Sequence, residues 1–236
     1  MAYGNNVLDS IIADDLVEFG GAVRRILLER GEVLLEAGTI SRVMHFPVTT
    51  QLANVSLLAN GGGVETSVVG REGVSGLAAF LADTECGWQI VVQRSGEAFV
   101  APVAAVQALR RRSPAFDRLL LRLSYFYQLQ AAQTAACNAA HRLQQRLARW
   151  LLSIDDATPG EPVAITQEEV ALFLGAQRTT VQDAMSNLRA LGAIAYRRGV
   201  ISLRDRAVLE GQVCECYGIL RDAEQHLGLV PDTGNR

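Results

Sequence analysis

The sequence predicts an α+β protein: an N-terminal β-roll of the jelly-roll type, a long central dimerisation helix and a C-terminal winged helix-turn-helix. Three patterns support this fold class. Short apolar runs with glycine turns fill residues 20–102, an apolar stripe on a long helix follows Pro114, and two short helices precede a basic hairpin at 165–203. The predicted boundaries are 1–112 for the β-roll, 113–137 for the long central helix, 138–206 for the winged helix-turn-helix domain, and 207–236 for a C-terminal helix followed by a tail, residues 231–236, that we expect to be disordered.

Composition limits where a charged partner could bind. The 236 residues carry a net charge of −3, and no lysine is present, so all 22 basic residues are arginines. A protein of this charge is not a basic coat for nucleic acid, and any contact with DNA must come from a local patch. No apolar run reaches membrane-spanning length, and the N-terminus lacks a basic region followed by an apolar one. We therefore expect a cytoplasmic protein with no membrane partner.

The N-terminal segments have the spacing of short strands. A short amphipathic helix is predicted at about residues 7–18, and the strands of segment 26–39 follow, with glycines as turn points. Residues 43–70 supply three more strands, with glycines 61–63 at the tip between two of them, and residues 88–102 supply two more. Several short strands at regular spacing predict a β-roll.

After a short helix at 103–114, Pro114 is predicted to begin the long helix. We expect a stripe on one side of this helix to form a dimer contact, because an apolar seam between two domains suits helix pairing, and dimers suit two-fold DNA sites. The alternative is packing against the chain's own β-roll. The stripe consists of Leu119, Leu123, Phe126, Leu129, Gln130, Gln133 and Cys137.

The next pattern is a pair of short helices followed by a hairpin. Thr166 and Glu169 have the spacing of a capping box, so a helix should begin there, and Gly175 should end it. A second helix is predicted at 177–191 and a hairpin at 194–203. This order is typical of a winged helix-turn-helix, whose second helix enters the DNA major groove, and an ordinary helical hairpin in a core is the alternative.

Polar side chains off the apolar face of the second helix predict the DNA contacts. The N-terminus of that helix adds backbone N–H groups that favour a phosphate, and the predicted hairpin turn at Arg198-Gly199 adds basic side chains. The predicted DNA-contacting residues are Gln167, Gln177, Arg178, Thr179, Thr180, Gln182, Asp183, Ser186, Arg189, Arg197 and Arg198.

This order of elements resembles the Crp–Fnr family of bacterial transcription regulators over nearly the full chain. The resemblance rests on RGEVLLEAGT in the β-roll, on the amphipathic helix HRLQQRLARWLL, and most specifically on TQEEVALFLGAQRTTVQDAMSNLRALGAI. It implies a homodimer joined by the long helix, with each second helix in a major groove of double-stranded DNA. It also implies that an effector in the β-roll controls whether RNA polymerase is recruited or blocked.

The resemblance assigns individual DNA contacts. Arg178 matches the arginine that precedes the family's threonine–valine pair, so we expect it to bind a guanine through two hydrogen bonds, with a phosphate clamp as the alternative. Thr180 matches a phosphate-contacting threonine. Thr179 stands where a glutamate is common, and Asp183 stands where a further arginine is common. The sequence that is read should therefore differ from that of the cyclic-AMP receptor. The two arginines of the hairpin are phosphate candidates, with a solvated hairpin tip as the alternative.

The nucleotide pocket of the family is altered in this chain. Nucleotide-binding members carry a Gly-Glu pair for the ribose and an Arg-Ser or Arg-Thr pair for the phosphate, whereas Ser75-Gly76 and Cys86-Gly87 stand here. Ala131-Ala132 replaces a hydroxyl pair of the central helix. A buried cyclic phosphate needs a paired cation, so we do not expect cyclic AMP. The pocket residues for an unknown small-molecule or protein effector are Gly73, Ser75, Gly76, Cys86 and Trp88.

The sequence predicts no cofactor and no metal site. Oxygen-sensing members of the family carry cysteines near the N-terminus, but the first cysteine here is Cys86. Cys214 and Cys216 lie within a single predicted helix at 205–229 and are interpreted as small buried residues, with a thiol sensor as the open alternative. No spacing pairs the three histidines as ligands: His45, His141 and His226.

An enzyme is not expected, because neither a Ser–His–Asp spacing, nor a phosphate loop of the GxxxxGK type, nor paired metal ligands are found. The second hypothesis is a ligand- or protein-binding module whose helix-turn-helix no longer reads DNA. Asp183 and the low net charge favour it.

Overall fold

The computed structural model describes residues 3–12, 15, 19–59 and 62–230. The chain forms two compact units. The first, here the sheet unit, comprises residues 1–56, 67–129 and 222–236, and the second, the helix-turn-helix unit, comprises residues 57–66 and 130–221. No described helix is both long and apolar enough to cross a membrane.

The predicted β-roll is confirmed. Its described strands form a three-stranded sheet of order β1-β7-β3 and a four-stranded sheet of order β2-β6-β4-β5. Residues alternate between buried and partly exposed along the last of these strands, as expected for a sheet with one covered face. The strands are β1 (Arg24–Leu28), β2 (Val33–Leu35), β3 (Val43–Pro47), β4 (Gln51–Leu57), β5 (Gly63–Val69), β6 (Gln89–Arg94) and β7 (Gly96–Pro102).

Short helices accompany these strands. The helix predicted at about 7–18 is described as α1 (Asn6–Asp9), and residues 13, 14 and 16–18 of that prediction lie outside the described residues. The apolar segment after β5 forms α2 (Leu77–Ala82), and the predicted helix before Pro114 is α3 (Val103–Arg112).

The long helix α4 (Pro114–Ala140) begins at the predicted proline and extends three residues beyond the predicted end at residue 137. The predicted dimer seam is corrected at three positions. Leu123 and Phe126 are buried in the core of the sheet unit, and Cys137 is buried in the helix-turn-helix unit. The periodicity shows that this side is apolar, but it cannot show whether the same chain covers it. The other four seam residues are half-buried: Leu119, Leu129, Gln130 and Gln133.

The helix-turn-helix unit contains the predicted winged motif. Its core is formed by apolar side chains such as Leu147, Trp150, Val181 and Leu188, all of them buried. The small sheet has the order β8-β10-β9. The elements are α5 (Leu143–Ala157), β8 (Val163–Ala164), α6 (Gln167–Phe173), α7 (Arg178–Ala190), β9 (Ile194–Arg197), β10 (Val200–Leu203), α8 (Arg206–Glu210) and α9 (Cys216–His226).

The prediction of one helix over 205–229 is wrong. The chain forms α8 and α9 there, separated by residues 211–215. The Asp205 side chain accepts a hydrogen bond from the Val208 N–H and caps α8, and Gly211, a poor helix former, follows its last residue. Cys214 therefore lies in a turn, and only Cys216 lies in a helix. The tail predicted to be disordered, 231–236, lies outside the described residues.

Candidate nucleic-acid interface

The start of α6 is fixed by the predicted capping box. The Thr166 Oγ1 accepts from the Glu169 N–H at 3.2 Å, and the Glu169 Oε2 accepts from the Thr166 N–H at 2.8 Å. Gly175, with a φ of +55°, lies in the turn after α6, in the left-handed region that favours glycine. The predicted capping box at the start of α6 and the predicted glycine at its end are both confirmed.

The second helix of the motif, α7, has one buried and one exposed side. Its buried side consists of Val181, Ala184, Met185 and Leu188, at helical spacing. Gln167 of α6 is half-buried. The predicted contacts at the start of α7 and on its other side are all exposed: Gln177, Arg178, Thr179, Thr180, Gln182, Asp183, Ser186 and Arg189.

The N-terminus of α7 belongs to this exposed surface. The N-cap residue Gln177 makes no side-chain capping hydrogen bond, and Arg178, Thr179 and Thr180 of the first turn are exposed. The first N–H groups of a helix have no partner within the helix and carry partial positive charge. This end of α7 can therefore bind an anion such as a phosphate.

An ion pair that the sequence interpretation missed crosses the turn between the two helices. The Arg178 Nη1 lies 2.9 Å from the Glu168 Oε1, and the two side chains are 64% and 60% exposed. A pair this exposed contributes little to folding. Because Arg178 is also the predicted guanine contact, any DNA bound there would have to displace Glu168 from its guanidinium group.

The wing of the motif is the predicted hairpin of β9 and β10. Arg198 and Gly199 have φ values of 50° and 77°, so both central residues of the turn are left-handed, as in a type I′ turn. The Arg197 and Arg198 side chains are exposed. The wing therefore presents two guanidinium groups to any partner of this surface.

Protein groups fill the surroundings of the predicted effector residues. A Cβ on Gly73 would lie 2.0 Å from the Tyr127 Oη, which accepts from the Val74 N–H at 3.0 Å. The buried Ser75 hydroxyl accepts from the His45 N–H at 2.9 Å. Gly73 and Ser75 therefore hold neighbouring parts of the sheet unit together.

The remaining effector candidates offer no cation for a phosphate. Gly76 is buried, and its φ of +67° favours glycine. Cys86 is fully buried, and burial raises the pKa of its thiol, which favours the neutral form. The indole N–H of Trp88 is buried without a hydrogen-bond partner.

A cluster of cysteines and one histidine lies in the helix-turn-helix unit. Cys137 lies in the last turn of α4, and His141 directly follows the last residue of that helix. Cys214, in the turn before α9, and Cys216, the first residue of α9, meet them. Burial raises the pKa of the Cys214 thiol to about 12, and its hydrogen bond with Cys137 acts in the same direction. The sequence interpretation missed this group, although the spacing of Cys137 and His141, four residues apart, is one at which a thiol and an imidazole can come together at the end of a helix.

Two helices joined by a tight turn, an exposed polar second helix and a basic hairpin together define the winged helix-turn-helix class of domain. Residues 145–211 match the family model of the Crp-like helix-turn-helix domain. No curated protein matches the chain with significant sequence similarity.

Solved structures share the fold over about four fifths of this chain. FixK2 from Bradyrhizobium japonicum is 16% identical, with a TM-score of 0.66, over 81% of this chain and 98% of FixK2. A Crp/Fnr-family transcriptional regulator from Thermus thermophilus is 18% identical, with a TM-score of 0.66, over 80% and 97% of the two chains. The c-di-GMP-responsive global regulator CLP from Xanthomonas campestris is 14% identical, with a TM-score of 0.65, over 82% and 100%. The chain thus has the Crp–Fnr fold.

Proposed function

We propose that the protein is a homodimeric transcription regulator of the Crp–Fnr type that binds a specific DNA sequence through α7. The observation that carries the proposal is the exposed polar side of α7, in a domain of the Crp-like family. The buried side of α7 packs on the core, so its polar side is directed away from the core. A helix must present its side chains in this way to enter a major groove.

The contacts divide into base reading and phosphate binding. Arg178 projects from the first turn of α7 and binds a guanine through two parallel hydrogen bonds. Thr180 and the N–H groups of that turn bind a phosphate. Arg197 and Arg198 of the wing bind a neighbouring phosphate and set the register of α7 without reading bases.

A homodimer presents the α7 and wing contacts twice, so the DNA site should consist of two symmetric half-sites. The exposed side of α4 carries Leu121 and Tyr125, which are 51% and 56% exposed. Exposed residues continue at alternating steps of three and four, namely Gln128, Ala132 and Ala135. This spacing is that of a coiled-coil seam, so we assign the dimer contact to this side in place of the buried seam residues.

The β-roll acts as a sensor that does not bind cyclic AMP. A cyclic phosphate near Cys86 would meet a buried neutral thiol where nucleotide-binding members place an arginine. A different small molecule or a protein would act by binding one arrangement of the dimer better than another. Such a shift would control how RNA polymerase is recruited or blocked.

The test is selection of bound duplexes from a random-sequence pool by the purified protein without added ligand. The proposal expects a two-fold symmetric site that Arg178→Ala binds more weakly, while Arg24→Ala, which removes an exposed arginine of β1, leaves binding unchanged. Failure to bind any duplex at low salt, also with cell extract added as a source of effector, would contradict it. That outcome would favour the binding module without DNA contact, for which the Arg178–Glu168 ion pair is the supporting observation.

A further inference from the structure

The four potential ligands of the cysteine–histidine cluster (Cys137, His141, Cys214 and Cys216) converge on one small volume. The three sulfur atoms and a His141 ring nitrogen all lie within 4.8 Å of one another. The Sγ atoms of Cys137 and Cys214 are 3.6 Å apart, and the Cys216 Sγ is 3.5 Å from the His141 Nδ1. All four residues belong to the helix-turn-helix unit.

We propose that this cluster binds one Zn²⁺ ion through the Sγ atoms of Cys137, Cys214 and Cys216 and the Nδ1 of His141. Three thiolates and one imidazole are a common ligand set of structural zinc sites. Zn–S bonds of about 2.3 Å at tetrahedral angles place sulfur ligands about 3.8 Å apart. The observed separations therefore match a single ion with small adjustments.

The groups around the ligands are those that a zinc site needs. The His141 Nε2 lies 3.2 Å from the Glu215 Oε1, and this contact leaves the Nδ1 as the nitrogen that faces the sulfur atoms. A carboxylate on the far nitrogen of a metal-binding histidine fixes its tautomer and raises its basicity. The Gln133 Nε2 donates to the Cys216 Sγ at 3.0 Å, which favours a thiolate.

Burial and charge also fit a closed structural site. The three cysteines are at most 3% exposed, and the His141 side chain is 16% exposed, so one edge remains through which an ion can enter. Zn²⁺ with three thiolates carries one net negative charge. The guanidinium groups of Arg146 and Arg149 both interact electrostatically with Cys137, and the Arg149 Nε is buried without a hydrogen-bond partner. These arginines offset that negative charge.

Other uses of the cysteines account for less of this geometry. A disulfide between Cys137 and Cys214 would use two of the four groups and would leave His141 and Cys216 without a role. An iron–sulfur cluster spreads its cysteine ligands over several iron atoms, which requires wider separations than those found here. Small buried residues would not need an imidazole nitrogen and an amide N–H directed at sulfur.

Zinc would tie the end of α4 to the segment that joins α8 and α9. Cys137 and His141 come from one side, and Cys214 and Cys216 come from the turn before α9 and its first residue. Binding to the folded state alone would raise the stability of the unit by mass action. This inference does not depend on the proposed DNA-binding function.

The test is metal analysis of the full-length protein purified without chelators, together with cobalt titration of the protein after chelator treatment. We expect about one zinc per chain, and tetrahedral thiolate absorption bands when Co²⁺ is added. His141→Ala and Cys214→Ala should lose the zinc and the cobalt bands. Cys86→Ala removes a buried cysteine of the sheet unit and should keep both.

The results of the metal analysis and the cobalt titration distinguish the zinc site from a disulfide, from an iron–sulfur cluster and from a folding defect of a variant. Absence of zinc together with a featureless cobalt titration of the folded wild-type protein would overturn the proposal. A Cys137–Cys214 disulfide that forms under air while no metal binds, or stoichiometric iron and sulfide, would overturn it as well. Because the titration uses the wild-type chain, it decides the matter even if a variant fails to fold. The metal content stands whether or not the protein binds DNA.

Discussion

Replacing Glu168 by glutamine should strengthen DNA binding, because it releases Arg178 from its ion pair. The pair joins exposed groups 2.9 Å apart, and exposed pairs of this kind are worth about 0.2–1 kcal/mol. In the proposed complex Arg178 would have to leave Glu168 before it binds a guanine, so this energy would oppose DNA binding in the wild-type protein. Removing it should lower the Kd by about 1.4- to fivefold, since about 1.4 kcal/mol corresponds to tenfold.

The assay is fluorescence anisotropy on a selected duplex, measured at several salt concentrations. Glu169→Gln is the matched control: it removes the same charge one residue further on, and glutamine also serves in a capping box. Its effect should be smaller, because it changes only long-range repulsion from phosphates, which salt screens. In the Arg178→Ala background, the gain from Glu168→Gln should fall to the level of the control. Equal gains from both glutamine variants, or weaker binding by Glu168→Gln, would refute the competition between Glu168 and DNA.

Three further predictions concern the sheet unit and the dimer. Gly73→Ala should destabilise the protein by about 1–3 kcal/mol, because the added Cβ would lie 2.0 Å from the Tyr127 Oη. Urea unfolding measures the loss of stability, and Tyr127→Phe in the same chain should restore part of it. Burial lowers the pKa of His45 to about 4, against the opposing effect of Glu32, so the unfolded chain binds the proton more tightly. Stability should therefore fall by about 2 kcal/mol between pH 7 and pH 5, and a His45→Asn variant with the same pH dependence would contradict this. Tyr125→Glu should convert a sedimenting dimer into monomers, and an unchanged dimer would place the contact elsewhere.

Local signals predicted the winged helix-turn-helix motif well. The capping box of Thr166 and Glu169, the turn glycine and the hairpin turn at Arg198-Gly199 depend on residues a few positions apart, and all were found as predicted. The β-roll strands were predicted for the same reason, since alternation and glycine turns are properties of short segments. Motifs of this kind are visible in one sequence because their energetics are local.

The features that the sequence did not reveal depend on contacts between distant segments. The seam of α4 is apolar at Leu123 and Phe126, but only the fold shows that the chain's own core covers them. Cys137 and Cys214 are 77 positions apart, and their meeting requires the break between α8 and α9 that the apolar periodicity concealed. The Arg178–Glu168 pair crosses a turn whose geometry fixes it. In each case, the sequence pattern indicated the helix on which a residue lies, but it did not show which other residue its side chain contacts.

The most direct test of the account is the binding of wild-type protein and Arg178→Ala to every single-base variant of the selected half-site. If Arg178 reads a guanine, the substitution should cost about 1–3 kcal/mol on the selected site and remove discrimination at one base pair of each half-site, while preferences at the other positions remain. A uniform loss of affinity over all variants, with every base preference intact, would contradict base reading and reduce Arg178 to a phosphate contact.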